Sequence, residues 1–188
     1  MPWLMPIFGY LLGSIPTAYL ACRATCGKDI RELGDGNMGA QNVFREVAPA
    51  VGILVGFIDA GKGALAVLLA QAVGLPQSVV FVTGGAAVIG HNWPFLLGFR
   101  GGRGEATAIG ILLVLVTGPM LIVALPAVVT LVLRRSVTLA TAVLVILLLL
   151  VCWWLKVSGP VMAYSLALFV LVAGTHALSL RRVAVRHA

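Results

Sequence analysis

Six apolar stretches divide the chain, at about 3–22, 47–74, 78–98, 105–133, 137–155 and 160–180, with short polar segments between them. At ~1.5 Å per helical residue each is long enough to cross a hydrocarbon core of ~30 Å. The pattern predicts an all-α, polytopic transmembrane bundle. Stretch 105–133 alone admits two readings: one long tilted helix, or two shorter ones broken at Thr117, Gly118 and Pro119.

Charge chooses between them. With the N-terminus outside, the segment 23–46 is cytoplasmic and carries Arg23, Lys28, Arg31 and Arg45, and the chain returns to that face at Arg100 and Arg103. A single crossing by 105–133 puts Arg134, Arg135, Arg181, Arg182 and Arg186 outside, against the tendency of Lys and Arg to stay in the cytoplasm. Two crossings put all five inside, leaving only Lys62 within a span and Lys156 outside. The expectation is seven crossings with a short fourth helix, whose glycine-rich approach must be sheltered by protein because bare backbone is not tolerated in lipid.

Composition agrees with a lipid-facing surface. The 188 residues are 61% hydrophobic and only 10% charged, where a soluble domain has about 25% charged residues. The net charge of +7 gathers in short loops, which points to anionic headgroups or phosphorylated substrates and away from nucleic acid. No linker interrupts 1–188, read as a single integral membrane domain. Met1 to Cys22 lacks the basic start of a cleavable leader and reads as a retained first helix. Cys22, Cys26 and Cys152 have no second Cys or His pair near them, so no metal site is expected. Gly9 with Gly13, and Gly52 with Gly56, have the spacing of close helix packing.

Three segments are too polar and glycine-rich for plain connectors. The first runs from Gly34 through Asp35, Gly36, Asn37, Gly39 and Asn42 to Arg45. The second is Asp59 to Gly63, inside an apolar span. The third holds Gly90, His91 and Pro94, then Phe99, Arg100, Gly101, Gly102, Arg103 and Gly104. Closely spaced glycines let backbone N–H groups approach an anion, and Arg supplies two-pronged donors, so the first and third segments together predict a phosphate site. Asp59 and Lys62, three apart on a helix, read either as a structural ion pair or as the edge of that site, and the two are compatible. His91 is open to three roles: general base, phosphate ligand or helix cap. A His followed five positions later by Asp is absent, since Leu96 and Arg181 stand five after His91 and His176. No Ser occupies a nucleophile-elbow sequence. The chain shows no nucleophile for covalent catalysis.

The motifs from Leu12 to Pro16, from Gly36 to Arg45, from Asp59 to Gly63, and from His91 through Phe99 to Thr107 resemble those of the bacterial acyl-phosphate glycerol-3-phosphate acyltransferases, in order and spacing across 9–107. The resemblance implies a seven-helix inner-membrane enzyme with its site toward the cytoplasm. Such an enzyme moves an acyl group from acyl phosphate to the 1-hydroxyl of glycerol 3-phosphate, giving lysophosphatidic acid and phosphate for phospholipid synthesis, with no cofactor or metal. By position, His91, Arg45 and Arg103 would be catalytic. Asp35, Gly36, Asn37, Gly39, Asn42, Lys62, Gly101, Gly102, Gly104, His176 and Ser179 would bind substrate or phosphate. The chain departs from the family pattern in carrying Asp35 for Ser, Gln41 for Thr, Arg103 for Lys, Glu105 for a small apolar residue, and Ser179 for Asn. Beside a phosphate, Asp35 is expected to be protonated, paired with Arg45 or Arg103, or turned toward a hydroxyl. Two other functions compete: acylation of another polar acceptor, and non-catalytic binding or translocation of phospholipid or anions.

Overall fold

The computed structural model describes residues 2–186, with side chains placed through Ser179. The side chains of Arg181, Arg182 and Arg186, counted above among the inward charges, lie outside that set. Nine α-helices are present in the described residues: α1 (Leu4–Gly13), α2 (Thr17–Cys26), α3 (Ala40–Glu46), α4 (Pro49–Ala72), α5 (Gln77–Asn92), α6 (Glu105–Leu115), α7 (Thr117–Arg134), α8 (Val137–Trp154) and α9 (Gly159–Arg186). There are no strands among these residues.

Among the described residues six spans are long and apolar enough to cross a membrane, counting α1 and α2 together as one. The shorter apolar α6 makes seven crossings consistent with the bundle. The break expected at Thr117, Gly118 and Pro119 falls just before them, at Val116 between α6 and α7. Those three residues open α7, where Pro119 in the first turn leaves no hydrogen bond unmade. Eleven residues reach only about 16 Å, so α6 depends on its neighbours for shelter. It has it: Thr107, Ala108, Gly110, Ile111 and Leu112 are buried, and α4 is its main partner. The approach through Gly104 is buried as well.

Small residues make these contacts possible. A Cβ on Gly110 would run into the backbone carbonyl of Ala60 on α4, and one on Gly63 into that of Thr107 on α6. On the other side α1 packs against α5, with Gly9 against Thr83 and Gly13 against Ala87. Gly52 accepts the backbone of Phe44, where a Cβ would lie 2.5 Å from its N and Cα, while Gly56 faces only Ala40 at 3.4 Å. Both glycine pairs therefore sit at helix contacts, Gly56 the loosest of the four. Large apolar side chains such as Phe57, Leu125, Leu133, Ile146 and Val170 remain exposed, the surface a lipid-facing bundle requires. Trp3, Trp153 and Trp154 are exposed near ends that the seven-crossing path puts on one face, where aromatic residues meet headgroups.

The first span differs from the continuous helix read in the sequence. It is broken at Ser14, Ile15 and Pro16, then resumes as α2 through Cys26. Pro16 has no N–H for the ladder, and its ring pushes Ile15 out of helical conformation. The break leaves carbonyls to satisfy inside the bundle. Ser14 Oγ donates to the Tyr10 carbonyl at 2.8 Å, and the Ile15 carbonyl accepts the Thr17 N–H at 3.0 Å and Lys62 Nζ at 3.2 Å.

Candidate active site

The two glycine-rich segments meet at one end of the bundle, between the ends of α2, α5 and α9 and the starts of α4 and α6. The first is shaped around Asn42. Its Nδ2 donates to the carbonyls of Ile30 at 3.3 Å, Leu33 at 3.0 Å and Asn37 at 3.0 Å. The side chain is buried and works as a clamp on its own loop, not as an open phosphate donor. Asp35 Oδ1 accepts the Asn37 N–H at 3.0 Å, closing a local turn of the kind Asp favours. Gly36, at φ +68°, takes the left-handed conformation that this turn requires, and Gly39 precedes α3. Arg45 stands exposed in the last turn of α3, with no ion pair among the described residues. Upstream, Asp29 accepts Arg31 Nη2 at 2.6 Å. Those hydrogen bonds hold the Asp29 carboxyl below its ordinary range against the opposing effect of burial, and raise the Arg31 guanidinium.

The second segment folds back over the end of α5. Gly101 N–H donates to the Asn92 carbonyl and Gly102 N–H to the His91 carbonyl, both at 3.1 Å. Those two amides are thus committed within the protein, unlike the free phosphate donors read from the glycine spacing. The glycines serve close approach instead: a Cβ on Gly101 would meet the His91 carbonyl, and one on Gly102 would meet His91 Nε2. Gly104, at φ +82°, caps the start of α6 beside Asn92 Oδ1. Tyr10 of α1 donates to the Trp93 carbonyl at 2.9 Å, fastening the turn from the other side.

Beneath this loop lies a buried charged group. Asp59 and Lys62 are 1% and 5% exposed. Lys62 Nζ sits 2.9 Å from Asp59 Oδ1, and His91 Nδ1 sits 3.6 Å from the same oxygen. With its other contact at the Ile15 carbonyl, Lys62 is held, buried, between α4 and the broken first span. His91 is also buried, with its ring under Gly102.

The loops are joined by Arg103. Its Nη2 donates to Asp35 Oδ2 at 2.8 Å and to Ser179 Oγ at 3.2 Å, while Nε reaches Ser179 Oγ at 3.3 Å. Thr175 Oγ1, one turn before Ser179 on α9, shares its single proton between the Val172 carbonyl at 2.8 Å and the Arg103 carbonyl at 3.0 Å. His176 follows Thr175 and is half-buried. Of the three partners foreseen for Asp35, the structure shows Arg103. Thr175 and Asn92 were not singled out in the sequence. Thr175 lies four residues before Ser179, on the same helix face, which was its available signal. Asn92 is 4% exposed, and neither atom of its amide has a partner among the described residues. It lies inside the polar segment from Gly90 to Pro94, next to His91, and that position was its available signal. No three His, Cys, Asp or Glu residues gather into a possible metal site among the described residues.

Fold and geometry define the class: a multi-pass membrane protein whose glycine-rich loops and Arg103 gather at one end of its helix bundle. The chain belongs to the glycerol-3-phosphate acyltransferase family, whose model matches residues 3–185. It is 47% identical to glycerol-3-phosphate acyltransferase 4 of Dehalococcoides mccartyi over 97% of this chain and 98% of that one. It is 49% identical to glycerol-3-phosphate acyltransferase 2 of Moorella thermoacetica over 59% and 57% of the two chains. Among solved structures it resembles PlsY (YgiH), an integral membrane glycerol 3-phosphate acyltransferase, in its glycerol 3-phosphate form. There the TM-score is 0.83 at 31% identity, covering 98% of this chain and 92% of the other. The lysophosphatidic acid form of the same protein gives 0.83 at 30% identity.

Proposed function

We infer that the protein acylates the 1-hydroxyl of glycerol 3-phosphate with acyl phosphate as donor, in the cell inner membrane, with the loops of the site toward the cytoplasm. The observation that carries this reading is Arg103, a permanent cation held between both glycine-rich loops and α9. Orientation follows from the basic residues of the loops, which the seven-crossing path gathers on that face.

The chemistry asks little of the protein. Acyl phosphate is a mixed anhydride, so the acyl carbon is already activated. The glycerol 3-phosphate oxygen bonds to that carbon, the bond from carbon to the phosphate oxygen breaks, and phosphate leaves with the electron pair. The hydroxyl proton ends on the released phosphate. Atoms balance without a covalent enzyme intermediate, in keeping with a chain that offers no activated nucleophile. The protein's part is to hold two anions together and to stabilise the charge that grows on the tetrahedral carbon's oxygen and on the leaving phosphate. Arg103 and the exposed Arg45 are the cations for this, with Ser179 on α9 against Arg103 and His176 and Asn37 as further polar groups of α9 and the first loop. Asn42, His91, Gly101, Gly102 and Gly104 act through loop shape. Lys62 acts through the first span.

The test is acyl transfer by the purified protein in lipid, with acyl phosphate and labelled glycerol 3-phosphate and lysolipid detected by mass spectrometry. Lysophosphatidic acid formed without CoA is expected, and Arg103→Ala should reduce its rate at least tenfold. No product from folded protein, with a working relative run alongside, would overturn the reading.

A further inference from the structure

Asp35 does more than close a turn. The turn uses only Oδ1, as acceptor for the Asn37 N–H, and an Asn or Ser oxygen makes the same turn. The negative charge is surplus to that purpose, and Oδ2 directs it onto Arg103. The pair joins a well-covered guanidinium to a carboxylate that solvent still reaches, with side chains 10% and 35% exposed.

The geometry of the guanidinium makes this contact consequential. A phosphate gripped by two parallel N–H bonds uses either the Nη1–Nη2 edge or the Nε–Nη2 edge. Both edges include Nη2, which here faces Asp35 Oδ2 and Ser179 Oγ. The Nε–Nη2 edge is filled by Ser179, a neutral hydroxyl that can rotate away. The other edge is shared with a charged carboxylate that its own loop holds in place.

We propose that Asp35 is an affinity-determining residue, an internal anion that competes with the phosphate of the acceptor for Arg103. This rests on the reading of Arg103 as the phosphate-binding cation. It makes the site more discriminating: a dianionic phosphate displaces Asp35, while a weaker anion such as a carboxylate or a monoanionic phosphodiester does not.

The test compares the full-length protein in lipid with Asp35→Asn, Arg103→Ala and the double variant, measuring the KM for glycerol 3-phosphate and calorimetric binding of inorganic phosphate. Asp35→Asn keeps the turn oxygen and removes the charge; Asp35→Ser serves as the second such variant if the first does not fold. Both are expected to tighten phosphate binding and lower KM by threefold or more. Arg103→Ala should weaken both at least tenfold, and adding Asp35→Asn to it should then change them less than twofold. Unchanged or weaker binding in Asp35→Asn and Asp35→Ser overturns the proposal. So does an equal gain in the Arg103→Ala background, which would mark a diffuse field effect. If Arg103→Ala itself changes neither quantity, the phosphate-binding reading fails, and the proposal with it.

Discussion

Replacing Lys62 by Met tests what the buried charge group is for. Lys62→Met keeps a long, flexible side chain but leaves Asp59, 1% exposed, without the ammonium that stands 2.9 Å from it. Removing one partner of a buried pair costs about 3–5 kcal/mol, because the remaining charge stays out of water. His91 Nδ1, at 3.6 Å, is too distant for a good hydrogen bond and recovers only part of this. The Ile15 carbonyl loses a donor but keeps the Thr17 N–H at 3.0 Å, so the break in the first span adds little. For a chain of this length about 3 kcal/mol corresponds to a fall of roughly 6–12 °C in melting temperature.

The double variant Asp59→Leu with Lys62→Met removes both charges and fills the space with apolar atoms. Such replacements are often neutral or stabilising, so it should melt close to the parent. Fluorescence-detected size exclusion after heating in detergent measures both. The rival reading of Lys62, as a phosphate ligand at the edge of the site, predicts the reverse pattern: an intact melting temperature with a raised KM for glycerol 3-phosphate. A single variant melting within about 2 °C of the parent, or a double variant falling as far as the single, would refute the ion-pair account.

Other residues give narrower tests. Gly110→Ala drives a Cβ into the Ala60 backbone and should cost about 1–3 kcal/mol of stability by forcing α4 and α6 apart; Gly118→Ala, with nothing within 4 Å, is the matched control and should melt like the parent. Asn42→Ala removes the donor to three carbonyls and should open the loop at 30–39 at a cost of about 1–3 kcal/mol, read as faster protease cleavage there with the spans intact. Asp29, its carboxyl held low by hydrogen bonds from Arg31, adds stability that is fully present above the ordinary Asp range and lost as pH falls through the lowered value. Asp29→Asn should therefore cost at most about 1 kcal/mol at neutral pH, and the two proteins should converge in strongly acidic buffer; a gap that widens on acidification would contradict this sign.

The parts of this molecule that sequence reveals are those set by one segment and the bilayer. Span positions follow from apolar length, and the charges of Arg134 and Arg135 give the expectation that 105–133 is split, without fixing the break at Val116. The break at Pro16 was equally local, since a residue before proline avoids helical conformation, yet the apolar run through 3–22 concealed it. What escaped detection depends on distant partners. Asp59 and Lys62 are visible as a pair three residues apart, but the Ile15 carbonyl that completes the group lies 47 residues from Lys62. The glycines at 101 and 102 announce close backbone approach without saying to what. The answer is the end of α5, whose His91 and Asn92 carbonyls take both amides.

Arg103 shows how the remaining departures from the family pattern fit together. Asp35, Arg103 and Ser179 each differ from the residue the motif leads one to expect, and read singly each looks like damage to a phosphate site. In the fold they touch: Arg103 is 2.8 Å from Asp35 and 3.2 Å from Ser179. A lysine ammonium offers three movable donors, whereas a guanidinium offers five in a fixed plane and needs acceptors placed around that plane. Asp35 from one loop and the short hydroxyl of Ser179 from α9 meet that need, while Thr175 lies against the Arg103 carbonyl. On the proposal that Arg103 is the phosphate-binding cation, these three residues act as one unit suited to a guanidinium, which keeps the site cationic while altering the strength with which it takes an anion. Restoring Lys at 103 alone should consequently perform worse than restoring it together with Ser at 35 and Asn at 179, since a lone ammonium would remain beside a carboxylate with which it can collapse into a closed pair.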